Sequence, residues 1–355
     1  MFIEAGVQEV SAARLAWLLI AVAIGLLLLG MSVGSEGLEL LNCKGLVHCA
    51  SLGLQDADSA LWQIVVDIRL PRGLGAWVAG ALLGLSGAVA QGLFRNPLAD
   101  PFLLGSASGA TLGVVLLLAA LGASPLALSA VQSLGLTGAA FAGSLLAVLL
   151  TVSLAQGVMS AMRLLLAGVV VGVVLGAAAQ AVLTLAPEVM LALQGFMLGS
   201  TAFVGWPAVM VMTVALLVCL PLALLVARAL DALQLGEAAA HSLGLPLSQV
   251  RWLLVAVMCL ASGAAVAQTG LIAFVGLAAP HLVRGLCRPQ HRALLLLSSL
   301  CGGALLLASD LLARALLAPR ELPVGVLTAI LGGAYLLWLM RRRSAQESLA
   351  HQESL

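Results

Sequence analysis

Apolar residues run through this chain in long blocks, each closed by a short cluster of charged, proline or glycine residues. A block of about twenty apolar residues crosses a hydrocarbon layer of roughly 30 Å as a helix. Read this way, the pattern predicts spans over 15–33, 70–94, 101–121, 125–156, 164–186, 206–227, 251–268, 293–316 and 324–340. A further segment, 274–286, is too short and interrupted to cross unaided; it is counted as a tenth, with Pro280 expected at or near an interface. Residues 187–199 are expected to form a short amphipathic interfacial helix. The first block begins after Arg14 and lacks a small-x-small cleavage site, so it reads as a retained span rather than a signal peptide. The expected fold class is therefore all-α and polytopic, with about ten transmembrane helices in a single domain over 1–355.

Two polar intervals interrupt the pattern. Residues 34–68 carry Glu36, Glu39, Lys44, Asp56, Asp58 and Asp67, and residues 228–250 carry Arg228, Asp231, Glu237 and His241 before Gly244 and Pro246. Orientation follows from the distribution of Lys and Arg, which favours the cytoplasmic side. With both termini in the cytoplasm, that side receives Arg14, Arg95, Arg163, Arg228, Arg251, Arg284, Arg288, Arg292 and Arg341 to Arg343. The other side receives only Lys44, Arg69, Arg72, Arg314 and Arg320. The loop 34–68 is then outside, in the periplasm of a cell with two membranes, and 228–250 is cytoplasmic.

Composition agrees. Charged residues make up 9% of the chain and apolar residues 62%, with a mean hydropathy of +1.16, against about 25% charge in a soluble domain. A net charge of +1 gives no general attraction to nucleic acid. The 38 glycines suit helices that approach closely. Cys219, Cys259 and Cys301 lie in apolar runs and read as packing residues, and Cys287 lies near a basic turn. Cys43 and Cys49 share the polar loop, where the spacing is compatible with either a disulfide or two free thiols. No Gly-x-x-x-x-Gly-Lys-Ser/Thr loop occurs, the sole lysine being Lys44, so no P-loop nucleotide site belongs to this chain. No Ser/His/Asp or metal-ligand cluster points to an enzyme. Near-absent mid-span carboxylates argue against an ion-coupled transporter; only Glu188 and Asp310 come near, both toward an edge.

The most informative stretch is 69–105. It opens with Arg69-Leu70-Pro71-Arg72, with Pro71 where a helix can begin. It continues through small and apolar residues from Gly80 to Gln91 and closes in the turn Arg95-Asn96-Pro97-Leu98-Ala99-Asp100-Pro101. This pattern resembles the FecCD-type permease family of ABC importers, which serve iron-siderophores, haem and cobalamin, and within it most resembles the haem permeases. A second stretch, 270–284, is similar to that family's Gly-x-Ile-x-Phe-Val-Gly-Leu-x-x-Pro-His-x-x-Arg signature, through Pro280, His281 and Arg284. Near the end, Gly332, Gly333, Ala334 and Tyr335 stand where many members have a proline, so a straighter last helix is expected.

The resemblance implies a type II ABC importer permease fold and several residue roles. Arg69, Arg72 and Arg320 would receive acidic groups of a periplasmic binding protein; interfacial snorkelling or an internal Arg320–Glu321 pair is the plainer alternative. Asn96 and Leu98, with Ala161 and Met162, would narrow the cytoplasmic end of the pathway. The segment 231–245, including Asp231, Glu237, Ala238, His241, Ser242, Leu243 and Gly244, would be the coupling helix that docks in a groove of the ATPase. His281 recurs whatever the cargo, so it reads as structural or coupling rather than as a haem ligand. Asp310 and Arg314, four apart, are expected to neutralise each other. The implied partners are a second copy of the chain, two ATP-binding subunits that hold ATP and Mg, and the binding protein. The chain itself is expected to bind no cofactor, and its place is the inner membrane of a bacterium.

Overall fold

The computed structural model describes residues 11–34, 37–38, 62–121, 130–158 and 160–352. Cys43 and Cys49 lie outside the described residues. The chain is a bundle of helices: α1 (Ala12–Ser32), α2 (Leu70–Phe94), α3 (Ser106–Leu121), α4 (Ala130–Leu154), α5 (Ala161–Leu185), α6 (Met190–Leu198) and α7 (Trp206–Leu225). There follow α8 (Ala227–Gln234), α9 (Glu237–Ser242), α10 (Leu247–Thr269), α11 (Val275–Leu286), α12 (His291–Ala315) and α13 (Val324–Gln352). Among the described residues the sole strand pairing is a two-residue one, Val33–Gly34 with Gly37–Leu38.

Seven helices are long and apolar enough to cross a membrane, among the described residues: α1, α2 with its lead-in, the 135–154 part of α4, α5, α7, α10 and α12. Three predicted spans fall short of that length: α3, α11 and the apolar part of α13. A helix of 16 residues such as α3 reaches only about 24 Å. It is completed at one end by the 3₁₀ turn Pro101–Leu104, capped by the Asp100 carboxylate, which accepts the Phe102 N–H at 2.8 Å.

Helix α2 is the centre. Of its best 18-residue window 89% is buried, and it packs against α12, α10, α11 and α7. The residues of the 80–91 stretch explain why. A Cβ at Gly80 would meet the Gly302 carbonyl of α12, one at Gly84 the Ser298 carbonyl, and one at Gly87 the Gly276 carbonyl of α11. Between those contacts, Ser86 donates to the Met258 carbonyl of α10 at 3.0 Å, and the Gln91 amide donates to the Leu277 carbonyl at 3.2 Å.

Three local expectations are corrected. The second span does not begin at Pro71: the chain is helical from Trp62 and passes through a π-helical segment, Ile64–Arg69. There the Leu70 N–H reaches back to the Val65 carbonyl. That wide turn accommodates the ring and the missing N–H of Pro71, which would break a regular helix. Pro280 is buried inside α11. The segment 231–245 is not one helix; it breaks at Gly236, whose φ of +108° only glycine adopts easily. Helix α6 is apolar rather than amphipathic, exposing Leu191 and Met197 while burying Leu193. As expected for a chain lacking the family proline, α13 runs unbroken. Gly332 on it leaves room for Phe274, which holds a left-handed φ of +70° at the start of α11.

Gly87→Ala tests this arrangement, because both sides of the contact are backbone. It is expected to destabilise the detergent-solubilised chain by about 3 kcal/mol or more, read as a lowered thermal unfolding midpoint. Gly25→Ala, with nothing within 4 Å, is expected to leave the midpoint unchanged.

Candidate functional site

Charged groups gather at two opposite ends of the bundle, and each gathering contains residues that the sequence singled out. At one end, α2 brings Arg72 against α12. The Arg72 guanidinium donates to Asp310 Oδ1 from Nε at 3.2 Å and from Nη2 at 3.0 Å, and its Nη1 lies 2.9 Å from Glu321 Oε2. Arg314 Nη2 lies 2.7 Å from Asp310 Oδ2, and Thr201 donates its hydroxyl to Asp310 as well. Asp310 is fully buried. Two arginines thus face two carboxylates, a balance that makes burial tolerable where a lone charge would not be. The expected Asp310–Arg314 pair is present but is only half of a four-residue cluster.

Arg72 is therefore turned inward, with a side chain only 12% exposed. Glu321 pairs with Arg72; the alternative pairing with Arg320 is not the one the structure displays. Arg69 sits one turn earlier and donates to the Met31 carbonyl of α1 at 3.0 Å. Arg320 is exposed on the turn between α12 and α13. So the three arginines share one end of the molecule, and Arg320 is the most open of them.

The opposite end holds the 95–101 turn and α8–α9. Arg95 caps α2 in the left-handed region, and Asn96 Oδ1 accepts the Leu98 N–H at 2.9 Å. Burial pushes the Asp100 carboxyl above the ordinary carboxylate range, with the Phe102 amide pulling the other way. Leu98 and Met162 are exposed, Ala161 half-buried. The two expected gate segments are joined by the 3₁₀ turn, whose Leu103 carbonyl seats against Gly168 of α5.

Glu237, at the start of α9, lies 2.7 Å from the buried Arg251 of α10 and 3.6 Å from Arg95. One carboxylate thereby clasps the turn after α2 and the base of α10. Asp231 on α8 faces the body of the protein, accepting the His291 N–H at 3.0 Å and lying 2.6 Å from its Nδ1. Ala238, His241, Ser242, Leu243 and Gly244 are exposed, as is Leu235. A short apolar knob is thus presented outward while acidic anchors hold it from behind.

The signature segment divides its work. Arg284 donates to Gln91 Oε1, linking α11 to α2. The His281 ring stands edge-on to Tyr335 at 5.8 Å, and Tyr335 stacks on Trp338 at 6.1 Å. No group of three or more His, Cys, Asp or Glu side chains able to hold a metal occurs among the described residues. Sequence reasoning missed the Arg72–Glu321, Glu237–Arg251 and Asp231–His291 pairs. The signal available was only that each is a charged residue near a helix end, which does not say which ends meet.

The FecCD transport family matches residues 18–342. The hemin transport system permease protein HmuU of Yersinia pestis is 39% identical over 329 residues, covering 91% of this chain and 95% of its own. The vitamin B12 import system permease protein BtuC of Vibrio cholerae serotype O1 is 40% identical over 284 residues, covering 79% of this chain and 83% of its own. A solved structure of a metal-chelate type ABC transporter, in an inward-facing conformation, superposes with a TM-score of 0.77 at 27% identity. It covers 93% of this chain and 99% of the other.

Removing Asp310 leaves two buried arginines facing a single carboxylate. Asp310→Asn is expected to cost about 3–5 kcal/mol in thermal unfolding, whereas Arg320→Gln, at an exposed site, is expected to cost within about 0.5 kcal/mol.

Proposed function

Because the chain belongs to the FecCD transport family, we propose that it is the permease that carries haem across a bacterial inner membrane. Its general place is not in question: it is a multi-pass membrane subunit of an ABC importer, a class that implies an ATPase and a binding protein as partners. The observation that carries haem as the cargo is the match to the hemin permease, which extends over 91% of the chain at 39% identity. Cobalamin is the second reading, supported by the comparable identity to the vitamin B12 permease over a shorter length; a ferric siderophore is the third.

In this reading two copies pair, with α5 along the pathway between them. What supports this is that Val169, Val170, Val173 and Val174 are each more than half exposed in the single chain. Only 17% of the best α5 window is buried, against 89% for α2. The apolar lining offers few charges to a bulky, partly apolar cargo. The end with α8 and α9 faces the cytoplasm along with both termini, and Leu235, Ala238 and Leu243 enter a groove of the ATPase. ATP and Mg reside on that subunit and none on this chain. Glu237 would transmit motion of α9 to the 95–101 turn through Arg95 and to α10 through Arg251. At the other end Arg320 and Arg69 meet carboxylates of the periplasmic binding protein. Arg72 joins them only by exchanging its internal partners, Asp310 and Glu321.

Two experiments test this. Proteoliposomes holding this chain with its ATPase are supplied with binding protein loaded with haem, ferric siderophore or cobalamin. ATP-dependent accumulation of haem alone is expected; accumulation of another chelate replaces the cargo, and uptake driven by an ion gradient without ATP sinks the reading. In the second, Arg320→Glu is expected to weaken binding-protein association by about tenfold, because like charges then oppose across the contact. Unchanged association would remove Arg320 from the docking surface.

A further inference from the structure

The end that carries α8 and α9 contains a concave site that none of the roles above uses. A cavity of about 330 Å³ opens between the turn after α2, the end of α8 and the chain joining α11 to α12. Its polar wall is formed by Gln91, Arg95, Gln234, Arg284, Arg288 and His291. Three guanidinium groups therefore border one cavity, and among the described residues no carboxylate lines it. Two acids behind the wall hold lining residues without filling the cavity: Asp231 pairs with His291, and Glu237 with Arg251 and, at 3.6 Å, with Arg95. The first turn of the 25-residue α12 also borders the cavity, so the positive end of a helix dipole adds to the same field.

His291 supplies an independent sign. It is 7% exposed, and its Nδ1 is taken by Asp231. Its Nε2 is buried with no hydrogen-bond partner, an arrangement that costs free energy unless something completes it. Arg284 lines the same cavity and donates Nη1 to Gln91.

We propose that this cavity binds a phosphate group, either as inorganic phosphate or as the headgroup phosphodiester of an anionic phospholipid. Guanidinium forks match the paired oxygens of a phosphate, and convergent arginines offset its charge more fully than one surface residue can. Basic pockets between helix ends beside a membrane are suited to anionic headgroups. The volume is at the lower end of ligand sites and well above what a single water fills. Occupancy would tie α2, α11 and α12 together at the end where α9 meets its partner. The proposal does not depend on the cargo.

The test uses the purified full-length chain. In zwitterionic detergent, the unfolding midpoint is followed while inorganic phosphate replaces chloride at constant ionic strength. In parallel, nanodiscs of phosphatidylcholine with and without phosphatidylglycerol are analysed by native mass spectrometry for retained lipid. Arg288→Gln, Arg284→Gln and the exposed neighbour Arg292→Gln, which does not line the cavity, are compared. Arg288 is exposed, so its variant is expected to fold as wild type does, checked by its midpoint in chloride alone. A saturable rise with phosphate assigns a free anion, and retained phosphatidylglycerol without a phosphate response assigns a lipid headgroup; either supports the site. Affinity is expected to fall about tenfold in Arg288→Gln and Arg284→Gln and to stay unchanged in Arg292→Gln. No saturable response together with no retained lipid overturns the proposal, as does an equal loss in Arg292→Gln. Loss of ATPase association in Arg288→Gln, with neither probe bound, overturns it in favour of a carboxylate from that subunit.

Discussion

Helices in a bilayer gain little from hiding apolar side chains from one another, since lipid tails are as apolar as leucine. Association must come from close packing and from hydrogen bonds between backbones and short polar side chains. Helix α2 meets that constraint along its whole length. Gly80, Gly84 and Gly87 bring its backbone against carbonyls of α12 and α11, and Ser86 and Gln91 bond carbonyls of α10 and α11. The positions of α10, α11 and α12 follow from those contacts. So does the place of each charged residue that these helices carry to the two ends.

The two ends solve the problem of charge differently. At the Arg72 end the cluster is centred on the fully buried Asp310 and balanced, two arginines with two carboxylates of which Glu321 reaches the surface, and joins α2 and α12 to the turn before α13. At the Asn96 end the pairs are partly open and distributed. Glu237 bridges Arg95 and Arg251, Asp231 holds His291, and Gln91 holds Arg284. A closed cluster resists rearrangement because any partner removed leaves a buried charge. Open pairs exchange at small cost. The proposed roles of the two ends, one receiving motion from an ATPase and one a docked protein, draw on that difference.

Helix α5 stands apart from this core. It packs against α3 and α4 and, through Gly168, against the 3₁₀ turn, and leaves a valine-rich face uncovered. The chain is thus built as a core around α2 with α3, α4 and α5 packed beside it. The proposed pairing of two copies rests on that uncovered face.

The chain alone determined the class, the order of apolar segments and the family, because apolar runs and the ordered 69–105 and 270–284 stretches are local properties of sequence. It also disclosed which residue types stand at helix ends. It did not disclose partners, because a pair such as Arg72–Glu321 spans 249 positions and depends on how helices cross. For the same reason Arg72 looked outward-facing until Asp310 was placed against it. Pro71 looked like a helix start because its local preference is real; a π-helical lead-in overrides it. Gly236 carried no visible sign that α8 and α9 would separate. Only the tertiary structure decided which glycines meet backbone, which charges neutralise each other, and which arginines line a cavity, because each of these depends on distances between helices that no local pattern encodes.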